Sequence, residues 1–205
     1  MTSPRSALES FGDAAVRVTL PEGADARTLL AALRAHPGVV DAVVTERHAL
    51  ATFDPDAPPE RLAEAIDAVL NGAATAADKP RDHVVTVQYD GADLETIADA
   101  IGRTPREVVA LHAGRSYAVA AIGFLPGFAY LRGLHPSLVV ARRPSPRARV
   151  AARSVAIAGP YTGVYPFASP GGWNLLGTAS DFTPFDPIHG AHLSLGDRVT
   201  FVEAS

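Results

Sequence analysis

Five arginines fall within the segment ARRPSPRARVAARS: Arg142, Arg143, Arg147, Arg149 and Arg153. A guanidinium is a planar fork that matches carboxylate and phosphate oxygens two at a time, so several of them facing one cleft would make an anion site. A solvated loop would account for the same residues, because the chain's positive charge is almost all arginine, with Lys79 as the single lysine. Other chemistries find less support. Towards the C-terminus carboxylates are sparse (Asp181, Asp186, Asp197 and Glu203), which leaves little for a two-carboxylate mechanism, and Asp197 sits in a Gly-Asp turn where capping is the simpler role. His189 and His192 in IHGAHL are three residues apart. No third ligand is suggested nearby, so exposed loop histidines explain them better than a metal, and no metal site is expected. The phosphate loop G-x-x-x-x-G-K-[ST], H-E-x-x-H, G-x-S-x-G and Ser-x-x-Lys are all missing.

Two further stretches combine aromatics with backbone freedom. GFLPGFAYLRGL (123–134) follows the apolar run SYAVAAI (116–122), which reads as a strand buried on both faces. Gly123 and Gly127 free the backbone there and Pro126 fixes it, while Phe124, Phe128 and Tyr130 supply an apolar wall. That composition suits a barrel corner or a loop facing a ligand or partner. YTGVYPFASPGGWNLLG (161–177) places Gly171 and Gly172 ahead of Trp173, a sign of a sharp corner or close backbone approach, with the hydroxyls of Thr162 and Ser169 near the aromatics.

The whole chain must hold these residues in place. Its 205 residues, 47% hydrophobic and 20% charged, suffice for one large domain or two small ones. A net charge of -4 argues against a general nucleic-acid binder. With no cysteine there is no disulfide and no thiolate chemistry, which fits a reducing, cytoplasmic compartment. The N-terminus has no apolar signal core. The long uncharged stretch 154–180 is broken by five glycines and three prolines, so no membrane helix is expected.

Periodicity divides the chain at 1–80 and 81–205, around the small, polar linker AATAADKPRD (73–82). Before it the order is β-α-β-β-α: AVRVTL; a helix with Leu29, Leu30 and Leu33 on one face; VVDAVV; HALATFD; and a second helix with Leu62, Ile66, Val69 and Leu70. That order, if closed by a further strand, is a split βαβ, ferredoxin-like unit. After it come the strand HVVTVQYD and two short helices, one with Leu94, Ile97, Ala98 and Ile101 on a face, the other opened by Thr104, Pro105 and Glu107 in capping-box spacing. From 116 onward short strands alternate with Gly/Pro turns, the pattern of a β-barrel or sandwich. The expected class is therefore α+β.

The segment 111–134, LH-x(4)-Y-x-V-x(3)-GF-x-PGF-x-YL-x-GL, resembles the KipI/PxpB family, as do RR-x(2)-PR (142–147), SVAIAGP-x-TGVYP (154–166), SPGGW-x-LLG (169–177), FDP (185–187) and L-x-LGD-x-V-x-F (193–201). Members of this family are known as the B component of the ATP-dependent 5-oxoprolinase and, formerly, as allophanate hydrolase subunit 1. The resemblance covers essentially the whole chain. It implies a small α/β domain followed by a cyclophilin-like β-barrel, and a KipA/PxpC-like component as partner. It further implies a third, PxpA-like component, a lactam or other small amide as substrate, and ATP, with Mg2+, used by the complex. Two other activities belong to the same resemblance: inhibition of a histidine kinase, as by KipI-type members, and the carboxyltransferase half of a biotin-dependent urea or amide carboxylase.

The resemblance implies residue roles too. Arg142, Arg143 and Arg147 match the family's arginines; with His112, Arg142 and Arg147 are the candidate catalytic groups, His112 as proton shuttle or orienting donor. Arg143, Arg153, Ser154, Thr162 and Tyr165 are candidates for binding substrate or anion. Gly123, Phe124, Pro126, Gly127, Phe128, Tyr130, Gly171, Gly172 and Trp173 would line the cleft or the contact with the partner. The chain departs from the family where V-P-A-G-S-V reads VAARSV, placing Ala151 and Arg153 at the Pro and Gly positions. It departs also at Ala141, Tyr161, Thr178 and Ala179.

Overall fold

A computed structural model describes residues 8–72 and 78–205. The chain divides into two compact units, Met1–Lys79 and Pro80–Ser205. Residues 73–77 of the expected linker lie outside the described residues.

The first unit comprises β1 (Leu8–Ser10), β2 (Ala15–Thr19), α1 (Ala26–Ala35), β3 (Val39–Val44), β4 (His48–Phe53) and α2 (Leu62–Leu70). Helix α1 begins where the Asp25 carboxylate accepts the Thr28 N–H at 3.0 Å and the Thr28 hydroxyl at 2.7 Å, satisfying a backbone donor the helix leaves open. It buries Leu29 and Leu33, and α2 buries Leu62, Ile66 and Val69, each at the spacing the sequence carries. The strands form one antiparallel sheet in the order β1-β2-β4-β3. The strand beside β2 thus precedes it in the chain. Leu8-Glu9-Ser10 has one apolar residue and no visible alternation, so nothing in the sequence marks it.

The second unit runs β5 (Asp82–Gln88), α3 (Leu94–Ile101), α4 (Pro105–His112), β6 (Ser116–Ile122), β7 (Ala129–Arg132), a 3-10 turn (Pro136–Leu138), β8 (Arg147–Val150), β9 (Ser154–Ala158), β10 (Tyr161–Val164), β11 (Ser169–Gly171), β12 (Asn174–Ala179), β13 (Phe185–Asp186), β14 (Gly190–Ala191) and β15 (Arg198–Glu203). Seven of these strands close a barrel in the order β10-β7-β6-β15-β5-β12-β9. All its pairings are antiparallel except β15 with β5. The parallel pair starts at Asp197, a fully buried carboxylate that accepts the N–H groups of Ser194 and Arg81 at 2.9 Å each. It caps the turn, as its sequence position suggests, and also ties the first barrel strand to the last.

Val85, Val87, Tyr117, Val119, Leu131, Val155, Ile157, Leu176, Val199 and Phe201 belong to the main core. The alternate residues of β9, Ala156 and Ala158, face a second cluster with Phe128, Val150, Tyr165 and Trp173. The strand buried on both faces is therefore β9, not 116–122. In β6 Tyr117 and Val119 are buried while Ser116 and Ala118 are exposed, because only one face of that strand is covered. Helix α4 carries the capping box: Thr104 Oγ1 accepts the Glu107 N–H at 3.3 Å, and Glu107 Oε2 accepts the Thr104 N–H at 2.8 Å.

Candidate functional site

The arginine segment does not run free. Gly171 pairs with Arg147 as β11 lies along β8, and the Arg143 N–H donates to the Gly172 carbonyl at 2.8 Å. Strand pairing thus brings the two motifs, RR-x(2)-PR and PGGW, against each other. Gly171 is glycine for a steric reason: a Cβ there would lie 2.3 Å from the Tyr165 hydroxyl. We expect Gly171→Ala to cost about 1–3 kcal/mol of stability, since the buried Tyr165 ring has no room to retreat. Chemical denaturation checks this, and an unchanged midpoint would refute it.

Nothing in the sequence singles out the residue that organises the arginines. Asp93 is 2% exposed. It stands at the N-cap of α3 but makes no side-chain cap bond. Its Oδ1 accepts from Arg143 Nη1 at 2.8 Å and Arg147 Nη2 at 2.7 Å, and its Oδ2 accepts the Leu175 N–H at 2.7 Å. Burial pushes the Asp93 carboxyl up, but the bonds from Arg147 and Leu175 and the charges of both arginines outweigh it and hold the group below the usual carboxylate range. Asp93 is ionised, and it fixes two half-buried guanidiniums side by side. Arg143 Nε and Arg147 Nη1 are left over. Among the described residues they are the two buried side-chain nitrogens or oxygens without a hydrogen-bond partner. Buried polar groups are nearly always paired, so such atoms call for an explanation.

Around this pair, Phe128 is the hub of an aromatic cluster, edge-on to Tyr130, Tyr165 and Trp173 with ring centroids 5.1, 5.4 and 5.3 Å away. Burial raises the Tyr165 hydroxyl pKa, while the Trp173 backbone N–H and the charges of Arg142 and Arg147 act against it. Arg142 is itself exposed, as is Arg149. Arg143, Arg147, Tyr165, Gly171, Gly172, Trp173, Phe128 and Tyr130 are therefore brought together.

The remaining candidates are placed elsewhere. His112 is 0% exposed in the main core. Its Nδ1 is 2.7 Å from the Tyr89 hydroxyl and its Nε2 is 2.9 Å from Thr162 Oγ1, which bonds the Ala156 carbonyl at 3.1 Å. Because a carbonyl only accepts, the Thr162 proton goes to Ala156. Nε2–H then donates to Thr162, and Nδ1 accepts from Tyr89. His112 also stacks on Phe201, with centroids 4.7 Å apart. Burial drives its pKa down to about 3, so the ring is neutral. His112 and Thr162 form one buried relay and share no bond with the arginines.

Arg153 occupies the left-handed region at φ 66, the conformation that favours glycine. Its Nε donates to the Ala179 carbonyl at 2.9 Å and its Nη2 to the Ser180 carbonyl. Its fork is thus spent on backbone. Ser154 is buried beside it at the start of β9. In the 123–128 loop Gly127 and Phe128 are buried, whereas Phe124 and Pro126 are exposed. His189 and His192 bond Asp186 and the Thr183 carbonyl respectively, and no group of three metal-ligating side chains forms among the described residues. Among those residues, too, no helix is long and apolar enough to cross a membrane.

The comparisons with known proteins agree with this architecture. Residues 6–194 match the profile of the carboxyltransferase domain, subdomain C and D. The 5-oxoprolinase B subunit of Escherichia coli O157:H7 is 46% identical over 123 residues, 58% of this chain and 56% of that protein. The B subunit of the same enzyme from Bacillus subtilis is 41% identical over 117 residues, 56% of this chain and 48% of that one. The aligned stretch thus spans about half the length of these curated relatives. Among solved structures, TTHA0988 superposes with TM-score 0.77 at 37% identity over 93% of this chain and 40% of its own. A Pyrococcus horikoshii protein, PH0987, does so with TM-score 0.57 at 27% identity over 97% of this chain and 98% of its own. The Kluyveromyces lactis urea carboxylase, at 18% identity and TM-score 0.72, shares the fold. On the match across residues 6–194 and the identities to 5-oxoprolinase B subunits, this chain belongs to the carboxyltransferase subdomain C and D family, in its KipI/PxpB branch.

Proposed function

We propose that this chain is the B-type component of an ATP-dependent assembly that opens 5-oxoproline to glutamate, working with a KipA/PxpC-like partner and a third, PxpA-like component. The observation that carries this reading is the pair of partly exposed guanidiniums clamped side by side on Asp93. Activating a lactam carbonyl calls for preorganised positive donors where negative charge collects, and these two are held before any ligand arrives. The relatives named as B subunits of 5-oxoprolinase support the choice of reaction. The donor set fits one small anionic group. It does not resemble a nucleotide cradle, so we place ATP and its Mg2+ at contacts shared with the PxpC-like partner. The lack of cysteine is in keeping with a cytoplasmic assembly.

The same reading takes the first unit as ferredoxin-like and the second as a cyclophilin-like barrel. For the first unit it rests on β4 lying between β2 and β3, antiparallel to both.

The test is ADP release with 5-oxoproline by the reconstituted components, with and without this chain. Release should require it. Arg147→Ala should lower turnover about tenfold to a hundredfold, the loss of one charge-assisted donor, while the variant still co-purifies with the PxpC-like partner. An assembled complex that releases no ADP would overturn the oxoprolinase reading and turn attention to other amides or to a kinase-inhibitor role.

A further inference from the structure

We propose that a groove on the first unit, divided by Pro58 and Pro59, docks an extended basic segment of a partner protein. An arginine or lysine side chain would lie on one side of the proline ridge and an apolar side chain on the other. The inference is independent of the oxoprolinase reading and uses none of the groups assigned above to the second unit.

Two cavities flank the proline pair. The larger, of about 710 Å³, is lined by His36 and Pro37 after α1 and by Glu60, Arg61 and Glu64 at the start of α2. The smaller, of about 270 Å³, is lined by Leu8, Val16, Phe53 and Leu62. Pro58, Pro59 and Arg61 line both. The ridge is stiff, because proline fixes φ, and Gly38 backs it closely: a Cβ there would stand 3.3 Å from Pro59 Cα. Arg61, in the shared wall, has φ 56 and opens α2 without a side-chain cap bond. Left-handed backbone is unfavourable for a residue with a Cβ, and the exposed ion pair from Arg61 Nε to Glu64 Oε2, at 2.8 Å, returns little of that. Strain with so small a structural return gathers at binding sites.

What the larger cavity offers a ligand is acceptors. Its one guanidinium is engaged by Glu64. Glu60 is exposed and makes no hydrogen bond or ion pair among the described residues. His36 Nδ1 is 2.8 Å from the Pro37 carbonyl, which only accepts, so Nε2 of the neutral ring is an acceptor as well. An anion at the start of α2 would meet Glu60 and Glu64, whereas a cation is attracted. The unit as a whole acts in the same direction. Residues 1–79 hold twelve Asp and Glu against seven Lys and Arg, five negative charges net, while residues 80–205 hold ten against eleven. Proline walls suit the aliphatic stem of a long basic side chain whose head group reaches Glu60. The smaller cavity is walled by aliphatic and aromatic residues and has no carboxylate, so it takes an apolar side chain. Successive side chains of an extended peptide point to opposite sides and can straddle such a ridge, which a free amine cannot do.

The full chain, labelled with 15N, would be titrated with the capped peptide Gly-Leu-Arg-Leu-Gly, and its amide shifts followed. Parallel titrations would use the same peptide with Ala or Glu in place of Arg, the peptide Gly-Gly-Arg-Gly-Gly, and spermidine. The leucine-flanked arginine peptide should saturate below about 5 mM, moving the amides of His36, Gly38, Arg61 and Glu64. The alanine peptide, Gly-Gly-Arg-Gly-Gly and spermidine should each bind at least about threefold more weakly, and the glutamate peptide weakest of all. Glu60→Lys, a change at an exposed side chain, should abolish the preference for the arginine over the alanine peptide. The proposal is overturned if the arginine and alanine peptides bind wild type alike, or if Glu60→Lys keeps their ratio. Spermidine or Gly-Gly-Arg-Gly-Gly binding as tightly as the leucine-flanked peptide would also overturn it, as would shifts confined to the second unit or no saturation by about 5 mM. ADP release enters none of these readouts, so the oxoprolinase reading stands or falls apart from them.

Discussion

At pH 5 the barrel unit should be about 2 kcal/mol less stable than at pH 7.5 on account of His112 alone. The folded pKa of about 3 lies well below the ordinary 6.5, and burial is the cause. Between those values the unfolded chain binds a proton that the folded chain refuses, so stability rises with pH. It is complete above the unfolded pKa and is lost as pH falls from 6.5 towards 3, at about 1.4 kcal/mol per pH unit. The lowered carboxyls of Asp93 and Asp197 contribute with the same sign, but their loss begins only as pH nears the unfolded carboxylate range around 4, below this window. His112→Ala should cost about 3–4 kcal/mol at neutral pH. It opens a cavity against Phe201 and Tyr117, removes the partner of the Tyr89 hydroxyl and removes one of the two partners of the Thr162 hydroxyl. His112→Gln can keep the bond to Thr162, so it serves if the alanine variant does not fold. Urea unfolding followed through Trp173, which lies in this unit, gives both numbers. A pH dependence equally steep in wild type and in His112→Gln would sink the assignment.

His112 also shows where the sequence stops being informative. Its place at the end of α4 was legible, because Thr104, Pro105 and Glu107 announce the helix and the apolar spacing carries it to residue 112. Its surroundings were not. The partners Tyr89 and Thr162 stand 23 and 50 residues away, brought in by barrel closure. The family resemblance groups His112 with the arginines, yet the two sets sit in different networks. Asp93 is inconspicuous in the sequence for a related reason. An aspartate just before the apolar face of LETIADAI reads as a helix cap, and its real partners at 143 and 147 are joined to it only through tertiary structure. Local devices such as caps, helix faces and glycine turns are written in short windows. Long-range pairs, the parallel β5–β15 contact among them, depend on closure, which no window contains. Arg153 is a middle case. Its departure from a family glycine is visible in the sequence, and the structure adds that it adopts the backbone conformation that favours glycine and donates to two backbone carbonyls.

Gly127→Ala should destabilise the barrel unit by about 2–4 kcal/mol, whereas Phe124→Gly, three residues earlier, should change it by less than about 1 kcal/mol. Both positions have positive φ, 79 at Gly127 and 75 at Phe124. They differ in what surrounds them. A Cβ on Gly127 would stand 2.7 Å from both Phe185 Cβ and the Pro184 carbonyl oxygen, so alanine meets left-handed strain and overpacking together. Phe124 is 60% exposed and touches Phe128 edge-on at 5.5 Å. Glycine there would relieve strain of about 1–2 kcal/mol, set against the lost ring contact and a more flexible unfolded chain, each of about 1 kcal/mol. Folding therefore gains little from a strained, solvent-facing phenylalanine. If the loop serves the assembly proposed above, Phe124→Gly should weaken co-purification with the proposed PxpC-like partner while leaving the urea midpoint in place. A Phe124→Gly variant as unstable as Gly127→Ala would instead make G-F-x-P-G-F a barrel corner and nothing more.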